Sequence, residues 1–531
     1  MEEFDYIIVG AGAAGCVLAD RLTRDGRLRV LLIEAGPADR HPFIHMPKGI
    51  AKIIGNPDYT WLFMTEPDGC TNQVAEPWAR GRTLGGSSAI NGMMYVRGQP
   101  ADYEELAQQT SDDWGWEKIG AAYRELENHE LGAAETRGKS GPLHVSMPTL
   151  KDRLTGTMIA AGLAMGLKHK DDVNAPDGEE CVGFAPRTVH QGRRESSATA
   201  FLKEARHRSN LKIVTDTSID RVNLQAGRAV SVSGSRRGQA VTHGAKEVIL
   251  CAGALATPAI LQRSGVGDTE HLASLGIAVE QHSPNVGQNL REHRALVMQW
   301  RVDDALSQNR EHRGWRLIKN VLRYCLTRDG LMSAATYEAG AWFKTLPGLN
   351  RPDGQFLLAP FSFDMTKPTM DVEPRGGFHF CAYILRPEST GSVMIRSTDP
   401  SVLPTIRPNY HATEGDRRKM VDVVRFARRY VAQEPLAGIV KAETRPGPEY
   451  QTDEEIITAY DRMGNGAYHA SGTCRMGSDA ESVVDPRLRV RGVEGLRVVD
   501  ASIFPFILAG NTAAPVMATA WRAADLILEG R

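Results

Sequence analysis

The segment YHASGTCRMG, residues 468 to 477, places a histidine and a cysteine among small residues. His469 and Cys474 lie five positions apart, a spacing at which several kinds of chemistry are open. The two side chains could bind a metal ion, act as a base with its nucleophile, or leave a lone histidine to move a proton. The segment alone does not distinguish these interpretations, so the elements that position it must be identified first.

The N-terminal segment DYIIVGAGAAGCVLADRLTRDGRLRVLLIEAG has the order strand, glycine turn, helix, strand and acid. Gly10, Gly12 and Gly15 form G-x-G-x-x-G, whose glycines allow a tight turn, close approach of a pyrophosphate and packing of the helix on the strand. Glu34 stands nineteen residues past Gly15, where a carboxylate can accept both ribose hydroxyls. The pattern predicts an NAD or FAD site, and the carboxylate disfavours NADP because it would repel a 2′-phosphate.

Two further segments indicate that the cofactor is long. The stretch WARGRTLGGSSAINGMMYVRG, residues 78 to 98, contains a glycine-serine loop whose N–H groups could lie against a phosphate or a ring edge. The C-terminal stretch GLRVVDASIFPFILAGNTAAPVMATAWRAADLIL is typical of a strand, Asp500, a loop, Asn511 and a closing helix. Because both chain ends carry strand-then-helix units that could hold opposite parts of one molecule, FAD is favoured over NAD.

These segments resemble the glucose–methanol–choline (GMC) family of flavin-dependent alcohol oxidoreductases. The first family signature is matched by GRTLGGSSAINGMMYVRG, the second by GALATPAILQRSGVG, and the active-site region by YHASGTCRMG and AGNTAAPVMA. The resemblance runs from residue 4 to about residue 528. It is closest to bacterial dehydrogenases of alkanols, sorbose and polyethylene glycol and to choline dehydrogenase, and next to aryl-alcohol and hydroxymethylfurfural oxidases.

The resemblance implies an α/β fold with a Rossmann-like, discontinuous FAD-binding domain. Residues 1–297 would supply its first part and residues 466–531 its C-terminal part. Residues 298–465 would form an α+β substrate-binding domain built on an antiparallel sheet. Within that domain, HFCAYILRPESTGSVMIRS is predicted as a hairpin with Gly391 at or near its turn.

The segment WRLIKNVLRYCLTR, in the same insert, has the periodicity of an amphipathic helix. Its apolar face would run through Ile318, Val321, Leu322 and Cys325, and its arginines would form a solvated face.

The resemblance also implies a set of FAD contacts spread over the chain. They are Gly10, Gly12, Ala13, Ala14, Gly15, Glu34, Ala35, Gly86, Ser87, Asn91, Ile219, Asp500, Ala501 and Thr512. Some members of the family tether the flavin through a histidine just before the signature asparagine. Ile90 occupies that place here, so we expect FAD to be bound noncovalently.

His469 and Asn511 match the catalytic positions of the family. Removing a hydride from an alcohol carbon requires the hydroxyl proton to leave, and a histidine with an unperturbed pKa near ~6.5 accepts protons around neutral pH. Asn511 could hydrogen-bond to the developing alkoxide. A zinc site needs further ligands, and although His293 in NLREH is a candidate, nothing in the sequence places it nearby. No metal site is predicted, and Cys474 is interpreted as a packing residue.

These residues predict FAD-dependent oxidation of a primary alcohol to the aldehyde, with the electrons passing to a quinone or another non-oxygen acceptor. One alternative is an oxidase of the aryl-alcohol or hydroxymethylfurfural type that produces hydrogen peroxide. A less favoured one is a non-redox flavoprotein of the hydroxynitrile lyase type. Phe361, Phe363 and Met365 could line an apolar substrate pocket or belong to an ordinary core.

Composition argues against several other classes of protein. A formal net charge of -1 gives no sign of a nucleic-acid-binding surface. The seven scattered cysteines include no CxxC, which argues against a disulfide framework or a zinc ribbon. The start MEEFDYIIVG has no basic segment or cleavage site, and the longest apolar runs are too short for a bilayer span. We expect a cytoplasmic monomer or dimer, with membrane contact at most peripheral, at the inner membrane face.

Overall fold

The computed structural model describes residues 3–150, 152–367 and 371–530, in which two large β-sheets organise the chain. The first sheet is of the dinucleotide-binding type. Its central strand, Phe4–Val9, pairs in parallel with Val30–Ile33 on one side and with Gln239–Leu250 on the other. The strand Val30–Ile33 is buried along its whole length, as expected for a parallel strand covered on both faces.

The remaining strands of this seven-stranded sheet come from distant parts of the chain. They are Leu211–Val214, Thr217–Gln225, Arg228–Arg236 and Leu496–Val498. The last of them pairs in parallel with Gln239–Leu250, so the C-terminal segment returns to the sheet that the N-terminus began. The first helix, Ala13–Thr23, packs against the last, Ala513–Glu529, in one hydrophobic core. This discontinuous Rossmann-like arrangement confirms the predicted fold class.

The second sheet has eight strands and is antiparallel apart from one short parallel pair at its edge. Its strands are, in spatial order, Ala442–Arg445, Arg294–Arg301, Gly377–Ile384, Gly354–Ala359, Ala339–Phe343, Cys181–Phe184 and Lys168–His169, with Asn465–Gly466 also paired to Arg294–Arg301. Helix Glu414–Val431 covers one face, where the rings of Phe343 and Phe426 stack with centroids 4.0 Å apart. The predicted antiparallel α+β unit is therefore present.

The chain crosses between the two sheets more often than the predicted division at residues 297 and 465 implies. Strands Lys168–His169 and Cys181–Phe184 lie in the second sheet, although the sequence-based division assigns them to the FAD-binding part. Strand Arg294–Arg301 spans the predicted boundary and belongs wholly to the second sheet. The strand that pairs with Cys181–Phe184 is Ala339–Phe343, far away in the sequence, and β-propensity depends on such neighbours more than on the strand itself.

The predicted hairpin around Gly391 is wrong. Strand Gly377–Ile384 pairs with Arg294–Arg301 and Gly354–Ala359, whereas the following strand, Ser392–Met394, pairs with Thr405–Arg407. Gly391 is needed for a close approach instead of a turn, because a Cβ there would lie 2.0 Å from the carbonyl oxygen of Arg407.

The other α-helices cover the sheets or fill the loops between strands. They are Pro42–His45, Ile50–Ile53, Pro100–Gln109, Trp116–Leu126, Arg153–Ala164, Ser197–Ala205, Thr257–Arg263, Thr269–Ser274, Gly314–Thr327 and Asp453–Met463. Gly314–Thr327 is the helix predicted from WRLIKNVLRYCLTR, but Ile318, Leu322 and Cys325 are exposed instead of packed. Among all helices in the described ranges, none combines the length and the apolarity needed to cross a bilayer.

Short strand pairs and helical turns complete the architecture. The pairs are Thr60–Met64 with Pro77–Gly81, Glu127–His129 with Leu143–Val145, Val189–His190 with Arg193–Arg194, and Val266–Gly267 with Gln281–His282. The 3₁₀ turns that matter most for the site are Gly86–Ala89, which sits on the glycine turn, and Leu331–Ser333, which supports helix Gly314–Thr327.

Candidate active site

The glycine turn after strand Phe4–Val9 is so tight that two of its glycines cannot carry a side chain. Gly10 has φ +103°, and a Cβ there would lie 2.4 Å from the carbonyl oxygen of Cys251. A Cβ on Gly15 would lie 1.9 Å from the carbonyl oxygen of Gly10. Gly12 differs, because no protein atom lies within 4 Å of the position that its Cβ would take. Gly12 therefore faces open space, where a pyrophosphate could lie directly against the backbone.

Glu34 lies one residue past strand Val30–Ile33, beside this turn, as its spacing predicts. Its Oε2 accepts a hydrogen bond from the N–H of Ala11 at 3.0 Å, and its Oε1 accepts one from the N–H of Gly36 at 3.0 Å. Burial raises the pKa of Glu34 to about 7, against the effect of these two donors. Each carboxylate oxygen can accept a further bond, so the side chain can still receive ribose hydroxyls.

The strand that carries Ile219 begins next to Glu34. The N–H of Thr217 donates to the carbonyl oxygen of Glu34 at 3.0 Å, and Ile219 is buried in the core of the first sheet. The predicted contacts Ala13 and Ala35 are half-buried at the same turn, while Ala14 is buried.

The first-signature loop lies directly on the glycine turn. A Cβ on Gly86, which has φ +51°, would come within 2.7 Å of the Cα of Gly12. Ser87 stays exposed next to it. The side-chain oxygen of Asn91 accepts from the Nη1 of Arg194 at 2.8 Å, and Arg194 is buried and also donates to the carbonyl oxygen of Asn91. Arg194 is absent from the sequence-based prediction, since it belongs to none of the glycine-rich segments.

Asp500 joins the C-terminal segment to the second glycine-rich stretch. Its Oδ2 accepts from the N–H of Gly253 at 2.8 Å and from the hydroxyl of Thr257 at 2.6 Å. The neighbouring carbonyl oxygen of Ala501 accepts from the N–H of Gly472 at 3.2 Å. Thr512 is half-buried at the start of the last helix. The predicted C-terminal contacts therefore lie on a segment that contacts the histidine segment through Ala501 and Gly472.

His469 is buried, and both of its ring nitrogens have partners. Its Nε2 lies 3.1 Å from the Nδ2 of Asn511, so the structure brings the predicted catalytic pair together. Its Nδ1 lies 2.9 Å from the Nδ1 of His293, which the sequence could not place nearby. Its backbone N–H donates to the Oε1 of Glu292 at 2.7 Å.

The carbonyl oxygen of Leu385 determines which ring nitrogens carry protons. It lies 2.9 Å from the Nε2 of His293 and can only accept, so this nitrogen carries a hydrogen. A neutral His293 then has a bare Nδ1, which accepts from the Nδ1–H of His469. The Nε2 of His469 is consequently unprotonated and accepts from the amide of Asn511.

Burial keeps both imidazoles neutral. It lowers the pKa of His293 to about 4. Burial, with smaller contributions from His293 and Arg80, lowers the pKa of His469 well below its ordinary value. Because both values lie below 6.5, the Nε2 of His469 carries an unprotonated lone pair at neutral pH, to which the Asn511 amide donates.

Several buried polar atoms beside this pair have no hydrogen-bond partner within the described residues. They include the Oδ1 of Asn511, both amide atoms of Gln355 and the hydroxyl of Tyr383. Gln355 and Tyr383 lie opposite each other on adjacent strands of the second sheet, and the Tyr383 ring stacks on His293 with centroids 4.9 Å apart. A Cβ on Gly510 would lie 3.1 Å from the Oε1 of Gln355, so this amide reaches the Asn511 loop. Unpaired buried polar groups that converge on one place are typical of a ligand site.

The two other interpretations of the histidine segment find little support in the geometry. Cys474 is buried in the hydrophobic core, and burial raises the pKa of its thiol well above the ordinary value, which disfavours a thiolate nucleophile. Over the described parts of the chain, no group of three or more His, Cys, Asp or Glu side chains could hold a metal ion.

The three side chains predicted to line a pocket or a core differ in burial. Phe361 is buried and packs edge-to-face against Phe363, with centroids 5.3 Å apart, whereas Met365 is exposed. Both rings also contact His379 of the second sheet.

Comparison with known proteins places this geometry in a family. Models described as GMC oxidoreductase match residues 4–295 and 387–520. Over 99% of its length the chain is 38% identical to an alcohol dehydrogenase [acceptor] of Pseudomonas putida and 37% identical to human mitochondrial choline dehydrogenase, covering 96% and 90% of those proteins. Among solved structures, it resembles pyridoxine 4-oxidase from Mesorbium loti, with TM-score 0.89, 30% identity and 99% of each chain covered. It also resembles a formate oxidase variant of Aspergillus oryzae, with TM-score 0.92, 26% identity, and 100% of this chain and 99% of that chain covered.

Proposed function

The chain belongs to the GMC oxidoreductase family, FAD-dependent enzymes that act on CH–OH donors, and we propose that it oxidises a primary alcohol to the aldehyde. In this proposal His469 accepts the hydroxyl proton and a quinone or another non-oxygen acceptor receives the electrons. The observation that carries it is the neutral His469, whose unprotonated Nε2 lies beside Asn511.

The residues around the glycine turn fit FAD. Gly12 leaves room for a pyrophosphate at the backbone, and the unpaired Oδ1 of Asn511 points to a missing polar partner at the other end of the site. FAD supplies a hydride acceptor, the N5 atom of its ring system. We propose that the flavin is held noncovalently, because Ile90 is a buried aliphatic residue packed with Ile44 and Ile53, with no nucleophile to offer.

The proton and the hydride leave the alcohol from different atoms. The alcohol hydroxyl replaces the Asn511 amide at the single Nε2 lone pair of His469, which takes the hydroxyl proton, and the Nδ1–H of the resulting imidazolium stays bonded to His293. The Asn511 amide, which donates to His469 when no alcohol is bound, can then donate its N–H groups to the alkoxide oxygen. A positioned proton transfer of this kind contributes roughly 10²–10⁴-fold in rate.

The second sheet supplies the opposite wall of the substrate site. Around Gln355 and Tyr383 this face is apolar, with Trp342 and Leu357 in the same cluster as Tyr383. We propose that the hydrocarbon part of the alcohol packs on this face and that Gln355 and Tyr383 bind a second polar atom, where the substrate has one.

The choice of acceptor rests on the relatives. Those named as an alcohol dehydrogenase [acceptor] and a choline dehydrogenase support a non-oxygen acceptor. Pyridoxine 4-oxidase, a formate oxidase and a fungal aryl-alcohol oxidase support the alternative, an oxidase that produces peroxide. A non-redox lyase is less favoured, because no protein among these relatives is named as one.

Adding primary alcohols to the purified holoenzyme without oxygen should bleach the visible absorbance of its flavin. A soluble quinone should then restore the colour faster than air does, and peroxide should stay near the level of the alcohol-free control. Persistent yellow with aliphatic, aromatic and sugar alcohols would contradict the proposal. Stoichiometric peroxide with no quinone turnover would establish the oxidase instead.

His293→Leu should slow flavin reduction roughly tenfold, because the Nδ1–H of His469 loses its acceptor and the imidazole can adopt the wrong tautomer. His293→Gln should recover most of the rate, since a Gln oxygen can accept the same hydrogen. The readouts are the limiting rate of anaerobic reduction and its pH profile, with flavin content as the control. Equal losses in both variants, or a loss that follows flavin content, would leave His293 a packing residue only.

A further inference from the structure

Helix Gly314–Thr327 carries an apolar stripe on its solvent side. Trp315, Ile318, Leu322 and Leu326 are 66%, 62%, 57% and 84% exposed. Their spacing of three and four residues places them on one face of the helix. Isolated exposed apolar residues are ordinary on a protein surface, but four large ones in register form a contiguous surface of the kind that marks an interaction site.

The opposite face of the helix is anchored in the protein. Tyr324 is buried with Met46, Leu331 and Met332, and Leu317 packs against the same cluster. Because the Tyr324 face is the one packed in the protein, the stripe on the opposite face points to solvent.

Basic side chains border the stripe. At about 100° per residue, Lys319, Arg323 and Arg316 lie next to the stripe along one of its edges. Residues 310 to 329 contain six Lys or Arg and two acidic residues. Both acids already pair with arginines, Glu311 with Arg316 at 2.7 Å and Asp329 with Arg323 at 2.7 Å.

A second copy of the chain is a poor match for this surface. The helix is about 21 Å long. The four side chains of the stripe offer a few hundred Å² between them, below the ~800 Å² per partner of a stable interface. A two-fold contact would also bring the like charges of two copies together.

We propose that helix Gly314–Thr327 lies in the surface of an anionic lipid bilayer, with its apolar stripe among the acyl chains and its basic border at the headgroups. An amphipathic helix with large apolar residues on one face and Lys and Arg beside them binds membranes in this way. Trp315, at the N-terminal end of the stripe, has the amphipathic ring that favours the interface.

The helix is also connected to the FAD site. The hydroxyl of Tyr324 donates to the carbonyl oxygen of His45 at 3.5 Å, and the carbonyl oxygen of the adjacent Ile44 accepts from Arg194, which holds Asn91. Docking through this helix would bring the flavin side of the protein towards the bilayer, which suits a lipid-soluble quinone. The suggestion that the acceptor is a lipid-soluble quinone rests on the proposed function, whereas the lipid contact does not.

The test is sedimentation of the full-length holoenzyme with vesicles of phosphatidylcholine, with and without phosphatidylglycerol. The wild type should bind the anionic vesicles and bind the neutral ones more weakly. The double variant Ile318→Glu, Leu322→Glu should lose roughly tenfold or more in partitioning. The double variant Leu163→Glu, Leu346→Glu is the matched control, because Leu163 and Leu346 are each 41% exposed outside this helix and the pair gains the same two charges. Turnover of alcohol with a soluble quinone should be unchanged in every variant.

A fluorophore on Cys325 gives a second readout. Cys325 is exposed on the apolar face, whereas the other six cysteines are buried or partly buried. Emission of an environment-sensitive dye should shift to the blue with anionic vesicles. Wild type that stays in the supernatant with every vesicle overturns the proposal. A solution dimer that the double variant converts to monomer also overturns it, because a second copy would then cover the stripe. Vesicle binding without alcohol-dependent bleaching would instead remove the proposed function alone.

Discussion

His469→Ala should slow the reduction of the flavin by alcohol by roughly 10²–10⁴-fold, the usual contribution of a positioned proton transfer. The substitution removes the only nitrogen that we place next to both Asn511 and the alcohol oxygen. Flavin content should stay close to that of the wild type, because the imidazole bonds to His293 and Asn511 and not to the glycine turn. The measurement is stopped-flow reduction without oxygen, beside the ratio of flavin to protein absorbance.

The pH dependence separates a lost base from a damaged site. His469 must be neutral to act, and its pKa is lowered by burial, so the wild-type rate should fall only as the pH drops well below 6.5. In His469→Ala this acid limb should disappear, and added imidazole should restore part of the rate. His144→Ala, which removes a half-buried histidine elsewhere, is the control. A wild-type rate of reduction in His469→Ala would refute the assignment of the base.

Gly12→Ala should weaken FAD binding at least tenfold without harming the apoprotein, whereas Gly15→Ala should harm both. The new Cβ at Gly12 meets no protein atom and would occupy the space in front of the backbone, so only a bound phosphate would collide with it. At Gly15 the Cβ would lie 1.9 Å from the carbonyl oxygen of Gly10, and the helix must move off the strand. We expect Gly12→Ala to change the free energy of unfolding of the apoprotein by less than about 1 kcal/mol. Gly15→Ala should cost more than about 3 kcal/mol.

Apoprotein prepared by removing the flavin allows the two effects to be measured apart. Thermal unfolding reports the stability of each variant, and titration with FAD reports its affinity. The pair of substitutions adds the same methyl group three positions apart, so each serves as the control for the other. Wild-type affinity in Gly12→Ala would mean that the phosphates do not approach Gly12, and equal destabilisation of both apoproteins would contradict the open space in front of it.

The features that could be predicted from sequence alone depend on residues that are close together in the chain. Gly15 is constrained by its contact with Gly10 within one turn, and the position of Glu34 follows from the length of one helix and one strand. The family resemblance extended this to the discontinuous fold and to FAD, because its motifs stand in order along the whole chain. The roles of His469 and Asn511 stay predictions, although the structure puts the two side chains in contact.

What only the tertiary structure decided depends on residues far apart in the chain. His293 and His469 are separated by 176 positions, and only the pairing of strands brings their nitrogens together and selects the tautomer. The strand Cys181–Phe184 belongs to the second sheet through its pairing with Ala339–Phe343, a strand from a distant part of the chain, and it carries Lys168–His169 with it.

The stripe on helix Gly314–Thr327 shows the same division between local and long-range information. The periodicity predicted the helix, but periodicity cannot say which of two partly apolar faces meets the core. The Tyr324 face packs against the apolar residues Met46, Leu331 and Met332, so the other face is exposed to solvent. The sequence by itself therefore determined the helix, the glycine turn and the family, since these depend on neighbours along the chain. The tertiary structure decided the partners of His469 and the outward face, because packing and burial are properties of the whole fold.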